Sequence, residues 1–326
     1  MPDTQWFPEQ ASSLAGRVDL LFLFLLGISL LMAVFLTMLV VAFAVRYRRG
    51  ARAGRRPRGR EEGMEFLWIG GLLFLFLGLF IWAAWLYVTE TRPPVAGLEI
   101  HAIGKQWMWE FQHPTGQREI NHLHVPEGTD VKVILATQDV IHSFYVPAFR
   151  IKQDAVPGRY TTTWFRPTRI GRFHLFCAEY CGLDHARMGG WVTVMEPAQY
   201  ERWLSERSGP APLTPGGITA AQAITPLAAQ GEQLFNKFGC VACHGAGTKV
   251  LAPSLAGIFG KEVPLQGGQI VTVDENYLRE SILAPGKQVV AGYAPIMPSF
   301  AGQMSEDDLL KLIAYIKSLS PKEKGP

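Results

Sequence analysis

Two uncharged apolar runs near the N-terminus limit what this chain can fold into. Residues 20–45 (LLFLFLLGISLLMAVFLTMLVVAFAV) hold no charged side chain over 26 positions, and residues 66–88 (FLWIGGLLFLFLGLFIWAAWLYV) hold none over 23. A bilayer core of about 30 Å takes roughly 20 apolar residues in a helix, so each run can cross it. Two buried core helices of a soluble protein are the competing reading. The start of the chain (MPDTQWFPEQ) is weakly acidic, unlike the basic start of a signal peptide. Eight arginines fall between Arg46 and Arg60, in the loop joining the two runs. A basic block suits nucleic acid or an anionic membrane surface. Its place between two spans decides for the membrane, and no nucleic-acid partner is expected. The positive-inside rule then makes the loop cytoplasmic and everything after Val88 extracytoplasmic.

From about residue 95 to 204 the pattern is one of short strands. Val131, Val133 and Leu135 alternate with Lys132, Ile134 and Ala136, and further strands are expected at 158–165, 171–177 and 190–195, each after Gly or Pro. Strands at this spacing indicate a β-sandwich or barrel. Residues 205–226 (SERSGPAPLTPGGITAAQAITP) have the composition of a linker. Beyond it, over 227–326, the pattern is helical. Ser305 precedes a helix with Asp308 near the capping-box position and Leu309, Leu312, Ile313 and Ile316 on one apolar face.

The four cysteines all lie outside the membrane by this topology, where two disulfides would be the default. Their neighbours argue for metal instead. In F-C-A-E-Y-C-G-L-D-H-A-R-M, Cys177, Cys181, His185 and Met188 place two thiols, an imidazole and a thioether within twelve residues. That soft set suits copper. Thiolate and imidazole also bind zinc, but a structural zinc site has no need of the methionine, and two cysteines exceed the single thiolate of a blue-copper site. Two bridging sulfurs allow two copper ions to share one electron. A further terminal ligand is then required, and His142 in D-V-I-H-S-F is the upstream candidate, although a lone histidine beside an apolar strand is more commonly structural.

The stretch from about 98 to 203 resembles the copper domain of haem–copper oxidase subunit II. The matching segments are K-Q-W-M-W-E-F at 105–111, L-H-V-P-E-G at 123–128, D-V-I-H-S-F at 139–144, K-Q-D-A-V-P-G-R at 152–159 and the C-x3-C-x3-H-x2-M run. The resemblance implies a cupredoxin-like β-sandwich carrying a binuclear copper centre (CuA). Cys177 and Cys181 would be its bridging thiolates and His142 and His185 its terminal imidazoles. Met188 would be a weak thioether ligand, and Glu179 a ligand through its backbone carbonyl. Glu179 would also reach a magnesium site shared with the catalytic subunit, Trp107 would receive electrons at the copper site, and Glu65 would lie near a proton-uptake route. Trp107 and Trp109 are otherwise core aromatics, and Glu65 otherwise an interfacial carboxylate. His-Leu-Phe before Cys177 departs from the Gly-Gln of many relatives, which alters the surroundings of the ligands and removes none.

The second cysteine pair sits in G-C-V-A-C-H-G, where Cys240, Cys243 and His244 form the C-x2-C-H signature of covalent haem c attachment. Zinc and redox CxxC readings remain open for so short a motif. With P-S-L-A-G after Pro253 and I-M-P-S-F around Met297, the segment resembles a small, all-α class I cytochrome c. His244 is the only histidine after His185, so the second axial ligand comes from Met297 or Met304, and the Pro-flanked loop favours Met297.

The chain is thus expected to fold as a two-helix transmembrane hairpin (1–94, spans about 20–45 and 66–88), a cupredoxin-like sandwich (95–204), a linker (205–226) and a cytochrome c domain (227–326). The resemblance implies the second subunit of a caa3-type, proton-pumping cytochrome c oxidase in a bacterial inner membrane. Its partners would be a catalytic subunit I, further membrane subunits, and an external donor such as a cytochrome c or another small redox protein. A copper-carrying subunit of a nitric oxide reductase is the alternative. A copper-delivery protein would leave His185, Met188 and the haem segment unexplained.

Overall fold

The computed structural model describes residues 7–51, 54, 62–94, 97–207, 226–245 and 252–320. Most of the basic loop (52–53 and 55–61) and most of the expected linker (208–225) lie outside the described residues. The two apolar runs form helices α1 (Ala15–Arg46) and α2 (Glu62–Thr91), both long and apolar enough to cross a membrane. Their side chains are largely exposed in the isolated chain, as spans that face lipid or partner helices must be.

Ten strands follow: β1 (Leu98–Lys105), β2 (Met108–Gln112), β3 (Arg118–Ile120), β4 (His122–Pro126), β5 (Val131–Thr137), β6 (His142–Val146), β7 (Ile151–Ala155), β8 (Thr161–Phe165), β9 (Gly171–Cys177) and β10 (Gly189–Met195). They make two sheets, ordered β3-β2-β1-β5-β8 and β4-β10-β9-β6-β7. Inward residues of both sheets, among them Trp109, Phe111, Val133, Phe144, Phe165 and Val192, form one buried core. This is the expected β-sandwich. Helix α3 (Pro197–Arg207) then closes one end.

The segment before α1 is woven into the sandwich. Ala11 donates its N–H to the Ala148 carbonyl at 2.9 Å, and its own carbonyl accepts from Thr168 at 3.0 Å. Arg150 grips Asp19 of α1 with two parallel hydrogen bonds of 2.7 and 2.8 Å, the strong bidentate form. Leu86, near the far end of α2, is buried as well. The start of α1 and the end of α2 therefore both adjoin the sandwich, as a hairpin with a large domain on one side requires.

The last domain contains α4 (Pro226–Lys237), the short α5 (Val241–His244), a hairpin of β11 (Glu262–Pro264) and β12 (Ile270–Thr272), α6 (Glu275–Leu283) and α7 (Glu306–Ser318). Ser305 and Asp308 make the reciprocal capping box, and Leu309, Leu312, Ile313 and Ile316 are buried. Helices α4 and α7 cross closely at Gly231, where a Cβ would lie 2.0 Å from the Lys311 carbonyl oxygen.

This domain is seated on the outer face of the first sheet. Ile103, Ile134, Ala136 and Tyr160 of the sandwich share one buried apolar cluster with Ile258, Leu278, Ile282 and Ile313. Asn276 accepts from the Tyr160 N–H at 2.8 Å and donates to the Tyr160 carbonyl at 3.2 Å. Arg118 pairs with Asp307 across the boundary. Lys317 joins Glu99 and Glu275, each at 2.8 Å. The alternation in β5 puts Val131, Val133 and Leu135 into the sandwich core, while Ile134 and Ala136 are covered by the second domain rather than by water.

Candidate metal centre

The cysteine-rich segment leaves one end of the second sheet and returns to it. Cys177 ends β9 beside β6, which His142 opens, and Phe144 and Cys177 are register partners. The loop that follows closes where the Cys177 N–H donates to the Met188 carbonyl at 3.0 Å, just before β10. Ala178 is tied to the Ser143 carbonyl at 3.0 Å. Three neighbouring strand ends thus bring together residues 35 or more positions apart.

The sulfur and nitrogen atoms converge. Cys177 Sγ lies 3.8 Å from Cys181 Sγ and 3.9 Å from His142 Nδ1. Cys181 Sγ is 3.5 Å from His185 Nδ1 and 3.7 Å from Met188 Sδ. The Glu179 carbonyl oxygen is 3.3 Å from Cys177 Sγ, while the Glu179 side chain is exposed. Ligand atoms of His142, Cys177 and Cys181 lie within 4.8 Å of one another, all three residues buried. All six residues expected from the sequence therefore meet in one place. Two thiols, two imidazoles and a thioether crowded this closely fit soft, thiolate-bridged metal ions such as copper.

The two thiols sit in unlike surroundings. Burial raises the pKa of Cys177, but hydrogen bonds with His142 and the Ser143 and Glu179 backbone outweigh it and hold the thiol at about 6. Burial, together with the charge on Cys177, pushes Cys181 up to about 12. Burial opposes protonation of His142, yet Cys177 and Asp139 hold its pKa above the ordinary value. A cation held between the two sulfurs would favour both as thiolates.

Trp107 is half-buried, its indole Nε1 donating to the Cys181 carbonyl at 3.2 Å, while Trp109 is a core aromatic whose ring centroid lies 6.0 Å from that of His142. Gly104 backs directly onto the His142 ring, with a Cβ there lying 2.8 Å from Cδ2. Glu65 is exposed at the start of α2, remote in the chain from these strands.

In the second domain a cleft is lined by Cys240, Cys243, His244 and Met297 within otherwise mostly apolar walls that include Phe238, Ile282 and Ile316. His244 Nδ1 lies 3.0 Å from the Pro253 carbonyl, which leaves Nε2 as the nitrogen able to take iron. Two thiols on the wall, an oriented imidazole and a thioether fit a tethered haem. Met304 does not line the cleft and packs against the adjoining cluster.

Sequence reading missed a buried carboxylate at the other end of the sandwich. Glu119 lies 2.9 Å from His113 Nε2 and contacts His124 Nδ1, and His113 Nδ1 lies 3.0 Å from the Tyr200 hydroxyl on α3. Burial raises the Glu119 pKa, but its hydrogen bonds with the two histidines prevail and bring it to about 2. The set secures α3. Asp139 was missed too: it stands three residues before His142, but spacing does not show that its carboxylate meets the ring nitrogen or the Gln106 N–H 33 residues upstream.

A membrane-anchored electron-transfer protein, with a cupredoxin-like metal domain followed by a cytochrome c domain, is the class this architecture defines. Residues 116–195 match the model of the cytochrome c oxidase subunit II periplasmic domain, and residues 228–320 match that of cytochrome c. The alternative cytochrome c oxidase subunit 2 of Bradyrhizobium diazoefficiens is 32% identical over 212 residues, covering 54% of this chain and 74% of that one. The cytochrome c oxidase subunit 2 of Thermostichus vulcanus is 31% identical over 267 residues, covering 64% and 81%. That of Alkalihalophilus pseudofirmus is 29% identical over 299 residues, covering 87% and 83%. The chain belongs to the cytochrome c oxidase subunit II family. It is a subunit of an oxidoreductase, anchored by two helices with its metal domain on the extracytoplasmic side.

Proposed function

We propose that this chain receives electrons at a haem c in its cytochrome domain and passes them through a binuclear copper centre to the haem of a catalytic subunit I, in a proton-pumping caa3-type oxidase of a bacterial inner membrane. The observation that carries this reading is the convergence of Cys177, Cys181, His142, His185 and Met188 at one end of the sandwich. When bound, the copper pair and the haem each take up and release one electron with little change in their surroundings.

The chain's own residues supply the rest. Cys177 and Cys181 would supply the thiolates that hold the copper pair, His142 and His185 the imidazoles, and Met188 and the Glu179 carbonyl the weaker ligands, with all six held by rigid strand ends. Cys240 and Cys243 would tether the haem, and His244 and Met297, which line the same cleft, would supply its iron ligands. Trp107, donating to the Cys181 carbonyl, is the aromatic through which electrons reach the copper site. The exposed Glu179 carboxylate is free to share a magnesium ion with subunit I. Glu65 lies near the mouth of a proton-uptake route in the partner. An external cytochrome c or similar small redox protein reduces the haem. Oxygen reduction belongs to subunit I, because neither apolar run of this chain contains a histidine.

Metal counting with electron paramagnetic resonance (EPR) on the purified chain and on Cys181→Ser tests the reading. Two coppers sharing one unpaired electron are expected beside one haem iron, with the copper signal lost and haem c retained in the variant. A copper signal that survives Cys181→Ser refutes the assignment.

A further inference from the structure

Four hydrogen bonds converge on the carboxylate of Asp139, a residue outside the ligand set. Its Oδ1 lies 2.8 Å from His142 Nε2 and accepts from the Val140 N–H at 2.7 Å and the Thr137 hydroxyl at 3.3 Å. Its Oδ2 accepts from the Gln106 N–H at 2.8 Å. On the opposite side, the Cys181 carbonyl accepts from the Gln106 side chain at 2.7 Å and from the Trp107 indole at 3.2 Å. The Gln106–Trp107 segment is therefore tied to the histidine loop through Asp139 and to the cysteine loop through Cys181.

A neutral imidazole carries one proton, and the hydrogen bond made by one nitrogen decides which nitrogen offers its lone pair. A carboxylate accepts only, so His142 meets Asp139 with Nε2–H and turns the Nδ1 lone pair toward Cys177, 3.9 Å away. The other face of the ring is closed by Gly104, where even a Cβ would clash at 2.8 Å. The ring has one tautomer and one orientation available.

We propose that Asp139 is a positioning residue for the copper pair. It fixes His142 as an Nδ1 ligand, and with Gln106 it braces both ligand loops and the Trp107 segment into one unit. The proposal rests on the copper reading above. Its test uses the copper-loaded full chain with three variants. Asp139→Ala removes the brace. Asp139→Asn keeps an acceptor for Nε2–H but faces the Gln106 N–H with a mismatched group. Asp184→Asn removes a nearby charge whose ion pair, among the described residues, is with exposed Arg187.

Two readouts are taken: the remote-nitrogen couplings in pulsed EPR, which report the hydrogen bond at Nε2, and the half-time of copper loss to a chelator. Loss of an outer contact to a ligating histidine typically weakens metal binding by about 10–100-fold. Asp139→Ala is expected to shift the remote-nitrogen couplings and shorten the half-time at least about tenfold, with Asp139→Asn intermediate and Asp184→Asn unchanged. If Asp139→Ala does not fold, the shift and faster loss in Asp139→Asn carry the test. Couplings and half-times matching the unaltered chain in both Asp139 variants overturn the brace while leaving the copper site standing. No two-copper signal in the unaltered chain refutes the copper reading itself.

Discussion

Replacing Lys317 with Met should loosen the cytochrome domain from the sandwich. The ammonium group lies 2.8 and 3.0 Å from the two Glu99 oxygens and 2.8 Å from Glu275, with only 22% of the side chain exposed. Lys132 is the other cation there, more distant at 3.3 and 3.4 Å. Burial raises the pKa of Glu99, yet Lys317 first, then His101 and Lys132, bring it from 4.5 to about 2. At about 1.36 kcal/mol for each tenfold change in proton affinity, that favours the charged form by about 3 kcal/mol. With Glu99 30% exposed, solvent screening reduces the share that survives to about 2 kcal/mol. Lys317→Met also leaves Glu99 and Glu275 facing each other with one distant cation, so the single substitution should cost about 3 kcal/mol. The pairwise part is isolated by a double-mutant cycle with Glu99→Gln, following urea unfolding of the cytochrome domain by haem absorbance in the detergent-solubilised full chain. A coupling energy of about 2 kcal/mol is expected, and one below about 0.5 kcal/mol would show that this pair does not hold the domains together.

The same interface should open in acid before the sandwich unfolds. His101 is buried, which lowers its pKa from 6.5 to about 4. Stability is therefore lost as the pH falls from 6.5 to about 4, and the Glu99 contribution, complete above pH 4.5, is lost between 4.5 and about 2. Small-angle scattering should show the chain lengthening in that window, and unchanged dimensions down to global unfolding would contradict it. Gly104→Ala drives a methyl into the His142 ring and should alter the copper EPR signal while leaving haem absorbance intact; an unchanged copper spectrum would count against the packing described. Gly231→Ala places a methyl against the backbone of α7 and should destabilise the cytochrome domain by about 1–3 kcal/mol, read as an earlier haem-monitored unfolding with copper unaffected. Equal stability would show that α4 and α7 are less closely apposed.

The elements legible in the sequence are those whose cause is local. Uncharged length produced α1 and α2, and a cap with its apolar stripe produced α7, because each needs nothing beyond one stretch of chain. Cys177, Cys181, His185 and Met188 were legible for the same reason, since all four sit on one strand end and the loop after it. His142 is 35 residues upstream and joins them only because β6 pairs with β9. Spacing alone could not supply that pairing, so its role came from resemblance. Asp139 and Gln106 fall inside segments that match the family, but their roles are hydrogen bonds that no spacing displays, one of them between segments 33 residues apart. The weave of residues 11–13 into the sandwich left no trace either, because backbone carbonyls and amides make it and backbone groups are alike at every position.

The docked cytochrome domain did leave a signal. A sheet with one wet face alternates apolar and polar residues, and a strand buried on both faces is apolar throughout. β5 reads V-K-V-I-L-A-T, losing its alternation after Lys132, and β1 carries Ile103 on the same outer face. Such a strand needs two covers, and one sandwich supplies only one. The second cover is the cytochrome domain, which makes β1 a wall shared by both metal-binding regions. Ile103 faces the apolar cluster that continues into the haem cleft through Ile258, Ile282 and Ile316, while its neighbour Gly104 faces His142. On the proposed function this distinguishes two kinds of fusion. A flexible linker alone raises the local concentration of a donor that must still find its acceptor. A donor seated on the acceptor's own sandwich, with β1 between it and His142 on the facing sheet, has no search to make. Its transfer rate should then be insensitive to linker length and sensitive to Lys317, the reverse of what a tethered donor would show.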